Sequence, residues 1–284
     1  MTIAITAATG ALGRLVVDAL LARGTDPADV VAVVRNAEKA RPIAELGVTV
    51  RTAAYGDVPA LTEAFQGVDR LLLVSGSEVG QRVEQHRSVV EAATAAGVGF
   101  IAYTSAPRAD DTTLVLAPEH KATEELLAAS SIPTAILRNN WYTENYLQQL
   151  DQAAATSELL TSAGDGRVAS ASRADYAEAA AVVLATDGHD GAVYELGGDV
   201  AWTFADLATA FSNVLGEPVA LVQVDGAEHV RRLEAAGLDA GTAGFVAALD
   251  ANIAEGTLAE VTSQLSGLIG RPTTPLEEGL RAAR

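Results

Sequence analysis

The chain has 284 residues, 49% of them hydrophobic and 20% charged, and no cysteine. It is long enough to bury a sizeable core and too apolar to be disordered, and it has no thiol nucleophile, thiolate metal site or disulfide. With 37 Asp and Glu against 19 Lys and Arg, a formal net charge of −18 opposes nucleic-acid backbones and anionic membranes, so any phosphate must be held by local geometry.

The first half alternates short apolar runs with amphipathic ones. Residues Thr2–Thr6 read as a buried strand, and Ala11–Arg23 as a helix with Leu12, Leu15, Val16, Ala19 and Leu20 on one face. Strands are expected at Val30–Val34, Val48–Thr52, Leu71–Val74, Phe100–Thr104 and Thr134–Leu137. The intervening helices are expected at Ala37–Leu46, Val58–Phe65 with Asp57 as N-cap, Val83–Ala96 and Ala117–Ala129. Continuously apolar strands alternating with helices specify a doubly wound parallel sheet, the Rossmann type of α/β fold.

After Arg138 the pattern changes. Helices are expected at Trp141–Leu150, Ala174–Ala185 (opened by the capping-box-like Ser172-Arg173-Ala174-Asp175) and Thr203–Leu215, strands at Ala192–Leu196 and Val219–Val224, and helices to the end. The expected division is a dinucleotide-binding domain over 1–150 and a smaller C-terminal α/β lobe over 151–284, packed on it with an approximate boundary. The N-terminus has no signal-peptide pattern, and no run of about 18 apolar residues could span a membrane, so a soluble cytoplasmic protein is expected.

The most informative stretch is Thr6-Ala7-Ala8-Thr9-Gly10-Ala11-Leu12-Gly13, which follows a strand and opens a helix. In that context Gly10 admits a pyrophosphate close to the backbone, Gly13 lets helix and strand approach, and free N–H groups at the helix start hold the phosphates. The usual spacing is G-x-x-G-x-x-G, with Ala7 standing at the first glycine; if that position needs φ > 0, alanine is strained by roughly 1 kcal/mol or more. NAD-binding folds place Asp or Glu at the end of the second strand, about 20 residues on. Here Arg35 stands there, which points to NADPH with Arg35 on the 2′-phosphate.

With these residues the chain resembles the NmrA-like, atypical short-chain dehydrogenase/reductase group. Within it, the chain is most similar to the NAD(P)H:quinone oxidoreductase type 2 branch. The resemblance runs nearly end to end, through Thr6–Gly13, Ala32–Asn36, Tyr55–Asp57, Ser77–Arg82, Phe100–Ser105, Glu119–Glu124, Leu137–Tyr146, Ser172–Ala181, Tyr194–Phe204 and Leu268–Glu278. It implies NADPH binding by Ala8, Thr9, Gly10, Ala11, Leu12, Gly13, Arg35, the Ser75-Gly76-Ser77 loop and the segment from Asn139, with Asp57 near the adenine. Tyr103 and Thr104, on the fifth strand, join this set. The loop after the fourth strand also lies where ligands bind in such sheets. The resemblance further implies a C-terminal lobe over the nicotinamide.

Ordinary members of the wider superfamily use a Tyr-x-x-x-Lys pair as proton donor. The only lysines here are Lys39 and Lys121, with Arg35 and Ala117 four residues earlier, so that pair is missing. By the resemblance, His120 and Glu124 take its places. Quinones are already electrophilic, so placing the hydride suffices and no protein acid is obligatory, with His120 the one weak catalytic candidate. Tyr103, His120, Asn139, Trp141 and Tyr142 are candidates for the pocket wall, with His120, Trp141 and Tyr142 on the substrate side. His86 reads as a solvated helix residue and His189 as surface, while His229 has no partner at metal-ligand spacing; no metal site is expected. The expected activity is hydride transfer from NADPH to a quinone or similar flat electrophile. Two other readings stand beside it: a triphenylmethane-dye reductase, and a non-catalytic NADP(H)-sensing regulator. A small-molecule substrate is the expected partner, with no nucleic acid and no membrane; a protein partner and the oligomeric state stay open, though such folds often pair as symmetric dimers.

Overall fold

The computed structural model describes residues 1–78 and 80–284. In chain order its elements are β1 (Ile3–Thr6), α1 (Ala11–Ala22), β2 (Val30–Val34), α2 (Arg41–Ala44), β3 (Thr49–Thr52), α3 (Val58–Ala64), β4 (Arg70–Leu73), α4 (Arg82–Ala96), β5 (Phe100–Ser105), α5 (Ala117–Ala128), β6 (Thr134–Asn139), α6 (Leu147–Thr156), β7 (Glu158–Thr161), β8 (Arg167–Val168), α7 (Arg173–Ala185), β9 (Val193–Leu196), β10 (Trp202–Thr203), α8 (Phe204–Leu215), β11 (Ala220–Gln223), α9 (Gly226–Ala235), α10 (Ala240–Ala254), α11 (Gln264–Ile269) and α12 (Leu276–Ala283). They form two compact units. The first comprises residues 1–110, 116–139 and 173–195, and the second comprises 111–115, 140–172 and 196–284.

The first unit is built on a seven-stranded sheet in the order β3-β2-β1-β4-β5-β6-β9. Neighbours from β3 to β6 pair in parallel, and β9 follows the same sense, with Ile136 N–H donating to Ala192 O and Asn140 N–H to Leu196 O. The central strands β1 and β2 are buried at every residue, which their Val and Ile content serves on both faces. On one face Ala4, Val31, Val33, Leu71, Leu73, Ile101 and Tyr103 meet Leu61, Phe65, Val89 and Ala93 of the α3 and α4 region. On the other, α1 lies against α7, whose Ala179, Ala180 and Ala181 let the two helices approach closely. Helices on both faces make this the doubly wound Rossmann-type fold that the alternating pattern specifies.

Differences from the sequence reading are local. The single helix expected over Ala37–Leu46 is a 3₁₀ turn at Glu38–Ala40 followed by a short α2 with Pro42 in its first turn. The helix expected from Trp141 begins at Leu147, after a 3₁₀ turn at Thr143–Tyr146. Three strands were not anticipated. In the second unit β7 pairs in parallel with β11, and β8 pairs antiparallel with β10. Helix α8 opens on a full capping box, Thr203 and Asp206 each bonding the other's backbone N–H. Among the described residues no helix is long and apolar enough to cross a membrane, and no cluster of His, Asp or Glu is arranged to hold a metal.

Candidate active site

The turn between β1 and α1 answers the question raised by Ala7. Its φ is +48°, so alanine occupies the left-handed region at a cost of about 1 kcal/mol. In that conformation its carbonyl accepts the Gly10 N–H at 2.8 Å and closes the bend. A Cβ on Gly13 would sit 2.5 Å from the same carbonyl oxygen, so that position needs glycine, whereas one on Gly10 would sit 3.1 Å from it, a tight contact that asks the backbone to give by a little. Gly10 is the N-cap of α1, with no side-chain cap and no acidic residue in the first turn. Thr9, Gly10 and Ala11 are exposed, whereas Leu12 is buried and Ala8 is fully buried, its N–H donated to the Val33 carbonyl at 3.4 Å. An exposed, uncapped, carboxylate-free helix start behind a tight glycine bend fits a diphosphate.

The neighbouring strand ends extend this site along the sheet. Arg35 follows β2 and is 76% exposed; its Nη1 lies 3.1 Å from Glu78 Oε1. Asp57 caps α3, accepting the Ala60 N–H at 3.0 Å. The Tyr55 hydroxyl reaches Thr6 Oγ1 at 2.6 Å and the Val74 carbonyl at 2.5 Å, tying the ends of β1 and β4 together. Burial pushes the Tyr55 hydroxyl pKa up, so it stays protonated.

The loop after β4 is held from several sides. Ser75 N–H donates to Thr104 Oγ1 at 2.9 Å, and Gly76 N–H donates to His86 Nε2 at 3.0 Å. Arg82 Nε donates to the Gly76 carbonyl at 2.8 Å. Glu119 receives Arg82 Nη1 and the Gly80 N–H, both at 2.8 Å. Ser77 is exposed, and Val79 of the Ser77–Arg82 motif lies outside the described residues. His86 is therefore not the solvated helix residue expected. It is fully buried, edge-on to both Tyr55 and Tyr103. Its Nδ1 meets Thr123 Oγ1 at 3.0 Å, and Thr123 gives its own proton to the Glu119 carbonyl. Nδ1 must then donate, which leaves Nε2 as the acceptor for Gly76. Burial, with the Arg82 charge adding to it, pulls the His86 pKa down to about 3, so the imidazole stays neutral.

Tyr103, fully buried on β5, hydrogen-bonds through its hydroxyl to His120 Nδ1 at 2.8 Å. Burial, then the Arg82 charge, pulls His120 to about 3 as well. Glu124, one turn further along α5, receives Ser105 Oγ at 2.5 Å and two Arg138 nitrogens at 3.0 and 2.6 Å. Arg138 also binds Glu195 and Asp110, at 2.9 and 2.7 Å; burial works to lower its pKa, and Glu124 together with these two carboxylates outweighs that and pushes it up. Glu124 is thus committed to a guanidinium. Asn139 is buried at the end of β6. Trp141 and Tyr142 belong to the second unit, where both are half-buried, Trp141 N–H on Asn140 Oδ1 and Tyr142 bridging to Ala171. In that unit too, His229 is buried against Ser162 Oγ (2.9 Å) and Asp250 Oδ2 (3.2 Å).

Within the first unit the folding chain brings the glycine bend, Arg35, Asp57, the Ser75–Ser77 loop, Tyr103, Thr104 and Asn139 to the carboxyl ends of the parallel strands, and Tyr103 reaches His120. The sequence reading missed Glu78, Tyr55, Arg82 and Glu119 as parts of this arrangement. Their only sequence signal was membership in quoted motifs, because their partners are remote in sequence.

A parallel sheet with this strand order and an uncapped glycine bend at its first crossover defines a Rossmann-type dinucleotide fold. The profile of the NmrA-like family matches residues 1–254, and the chain belongs to that family. It is 50% identical over 278 residues to quinone oxidoreductase 2 of Escherichia coli (strain K12), covering 98% of this chain and 97% of that one. The crystal structure of the NADPH-dependent quinone oxidoreductase QOR2 from Escherichia coli complexed with NADPH superposes with a TM-score of 0.95, at 48% identity and 99% coverage of both chains. A triphenylmethane reductase from a Citrobacter species superposes with a TM-score of 0.94, at 37% identity, over 100% of this chain and 99% of that one.

Proposed function

We propose that this protein is an NADPH-dependent oxidoreductase that delivers hydride to a quinone or a similar flat electrophile. The observation that carries the reading is 50% identity, over nearly the whole chain, to a quinone oxidoreductase. The bend at Ala7–Gly13 supports it independently, because its amides and close packing suit a diphosphate. When bound, the nicotinamide supplies the hydride. The chain's own part is to bind and orient: the α1 amides take the diphosphate, Arg35 the 2′-phosphate, and Asp57 lies by the adenine. The loop at Ser75–Ser77, with Thr104 and Asn139, holds the nicotinamide half.

His120, Trp141 and Tyr142 are assigned to the electrophile. His120 is neutral at physiological pH, so it offers at most an imidazole N–H, with the Tyr103 hydroxyl on its other nitrogen. A quinone's reduced oxygen takes its proton from water without a protein acid. The acidic composition supports a protein without nucleic-acid partners, and a cytoplasmic location goes with this reading. A symmetric homodimer is the assembly such folds commonly adopt.

Mixing the purified protein with NADPH and a benzoquinone, and following the absorbance of the reduced nicotinamide, tests the reading. Steady oxidation that needs both substrates is expected. NADPH binding without oxidation across quinones and dyes would assign the protein to cofactor sensing instead. The likeness to triphenylmethane reductase supports a second reading, in which the electrophile is a triphenylmethane dye. The same assay with a dye ranks the two.

A further inference from the structure

Arg35 sits where the proposed cofactor's 2′-phosphate would be read, yet its guanidinium faces a carboxylate. Glu78 Oε1 lies 3.1 Å from Arg35 Nη1. The other oxygen, Oε2, accepts Gln85 Nε2 at 2.8 Å, so the carboxylate is oriented from α4 and does not hang free. The pair joins the end of β2 to the loop after β4, the two strand ends flanking β1. Both side chains are accessible, Arg35 76% and Glu78 43% exposed, so a ligand can reach and part them.

A phosphate dianion and a carboxylate directed at one exposed guanidinium compete for it and repel each other. NADH carries no such phosphate. For NADH, a carboxylate beside the end of the second strand is the acceptor that NAD-binding folds supply to the ribose hydroxyls.

We infer that Glu78 is a specificity-determining residue, a carboxylate that occupies the 2′-phosphate's guanidinium and narrows the preference for NADPH over NADH. This rests on the reading of Arg35 as the phosphate ligand. Exposed ion pairs are weak, which sets the effect at about three- to fivefold.

The experiment is a titration of nicotinamide fluorescence giving Kd for NADPH and NADH in the wild type, E78Q, R35A and the double variant. With E78Q, NADPH is expected to bind about three- to fivefold more tightly, and NADH equally or more weakly. In the R35A background E78Q should no longer tighten NADPH. An E78Q protein whose ratio of the two Kd values equals that of the wild type overturns the inference while R35A still abolishes the preference. If R35A itself leaves the ratio unchanged, the reading of Arg35 fails and the inference with it.

Discussion

Two histidines show how burial sets chemistry at single residues. Removing His120 takes away no cationic acid, since the ring is neutral from about pH 3 upward. His120→Ala should therefore keep kcat for a quinone within about tenfold, less than the roughly 10²–10⁴-fold that general acid–base catalysis contributes. Loss of all turnover with NADPH binding intact would show that the imidazole is obligatory. His86 acts through Gly76. His86→Ala leaves the half-buried Gly76 N–H without its acceptor and should raise KM for NADPH about tenfold with kcat little changed. His86→Gln, whose amide oxygen can accept that N–H, should restore most of the loss; equal defects in both variants would assign the ring to packing alone.

The same histidines set an acid limb for stability. Their folded-state pKa values, about 3, lie below the ordinary 6.5, so the unfolded chain binds their protons first. Their contribution is complete above pH 6.5 and falls as pH drops toward 3, by at most about 1.4 kcal/mol per pH unit for each ring. Denaturant midpoints measured between pH 4 and pH 7 should show a shallower decline in His86→Gln than in the wild type.

At the scale of elements, the bend between β1 and α1 is where local sequence and packing meet. Gly13→Ala drives a methyl group into the Ala7 carbonyl, which must shift helix against strand at about 1–3 kcal/mol. Calorimetry should find a lower Tm, and titration weaker NADPH binding; a stable variant with unchanged Kd would contradict the close packing. Ala7→Gly does the opposite, relieving a left-handed alanine while adding freedom to the unfolded chain. The two effects nearly cancel, and Tm should stay level or rise by about 1–2 °C.

The elements read correctly from sequence are those whose pattern is set by their own burial. Strands β1, β2 and β5 are buried throughout and mostly apolar because both faces are covered. Short pieces fared worse. The strands β8 and β10 are two residues each and exist only because distant chain lies beside them. Trp141 and Tyr142 carry a helix-compatible pattern, but the adjacent Asn140 side chain takes the Trp141 N–H and the distant Ala171 pairs with Tyr142, so one local and one tertiary contact delay the helix.

For the whole molecule, a net charge of −18 acts on substrates as a field. A cationic triphenylmethane dye should be drawn in and a neutral quinone left unaffected. Raising ionic strength from low to physiological should lower kcat/KM for the dye and leave that for the quinone level, because salt screens the attraction. Equal salt dependence for both would mean the field does not steer substrates.

The order of burial along the chain determined the fold class, the parallel sheet and the glycine bend, because each depends on neighbours within a few residues. The identity of Arg35 after the second strand likewise points to the extra phosphate from the sequence alone. Only the tertiary structure decided that Ala7 adopts a positive φ, that His86 is buried and neutral, that Glu78 faces Arg35, and that β9 returns beside β6. Those outcomes depend on groups tens of residues apart meeting in a dry interior or across a strand end, and a linear pattern carries no distance between such groups.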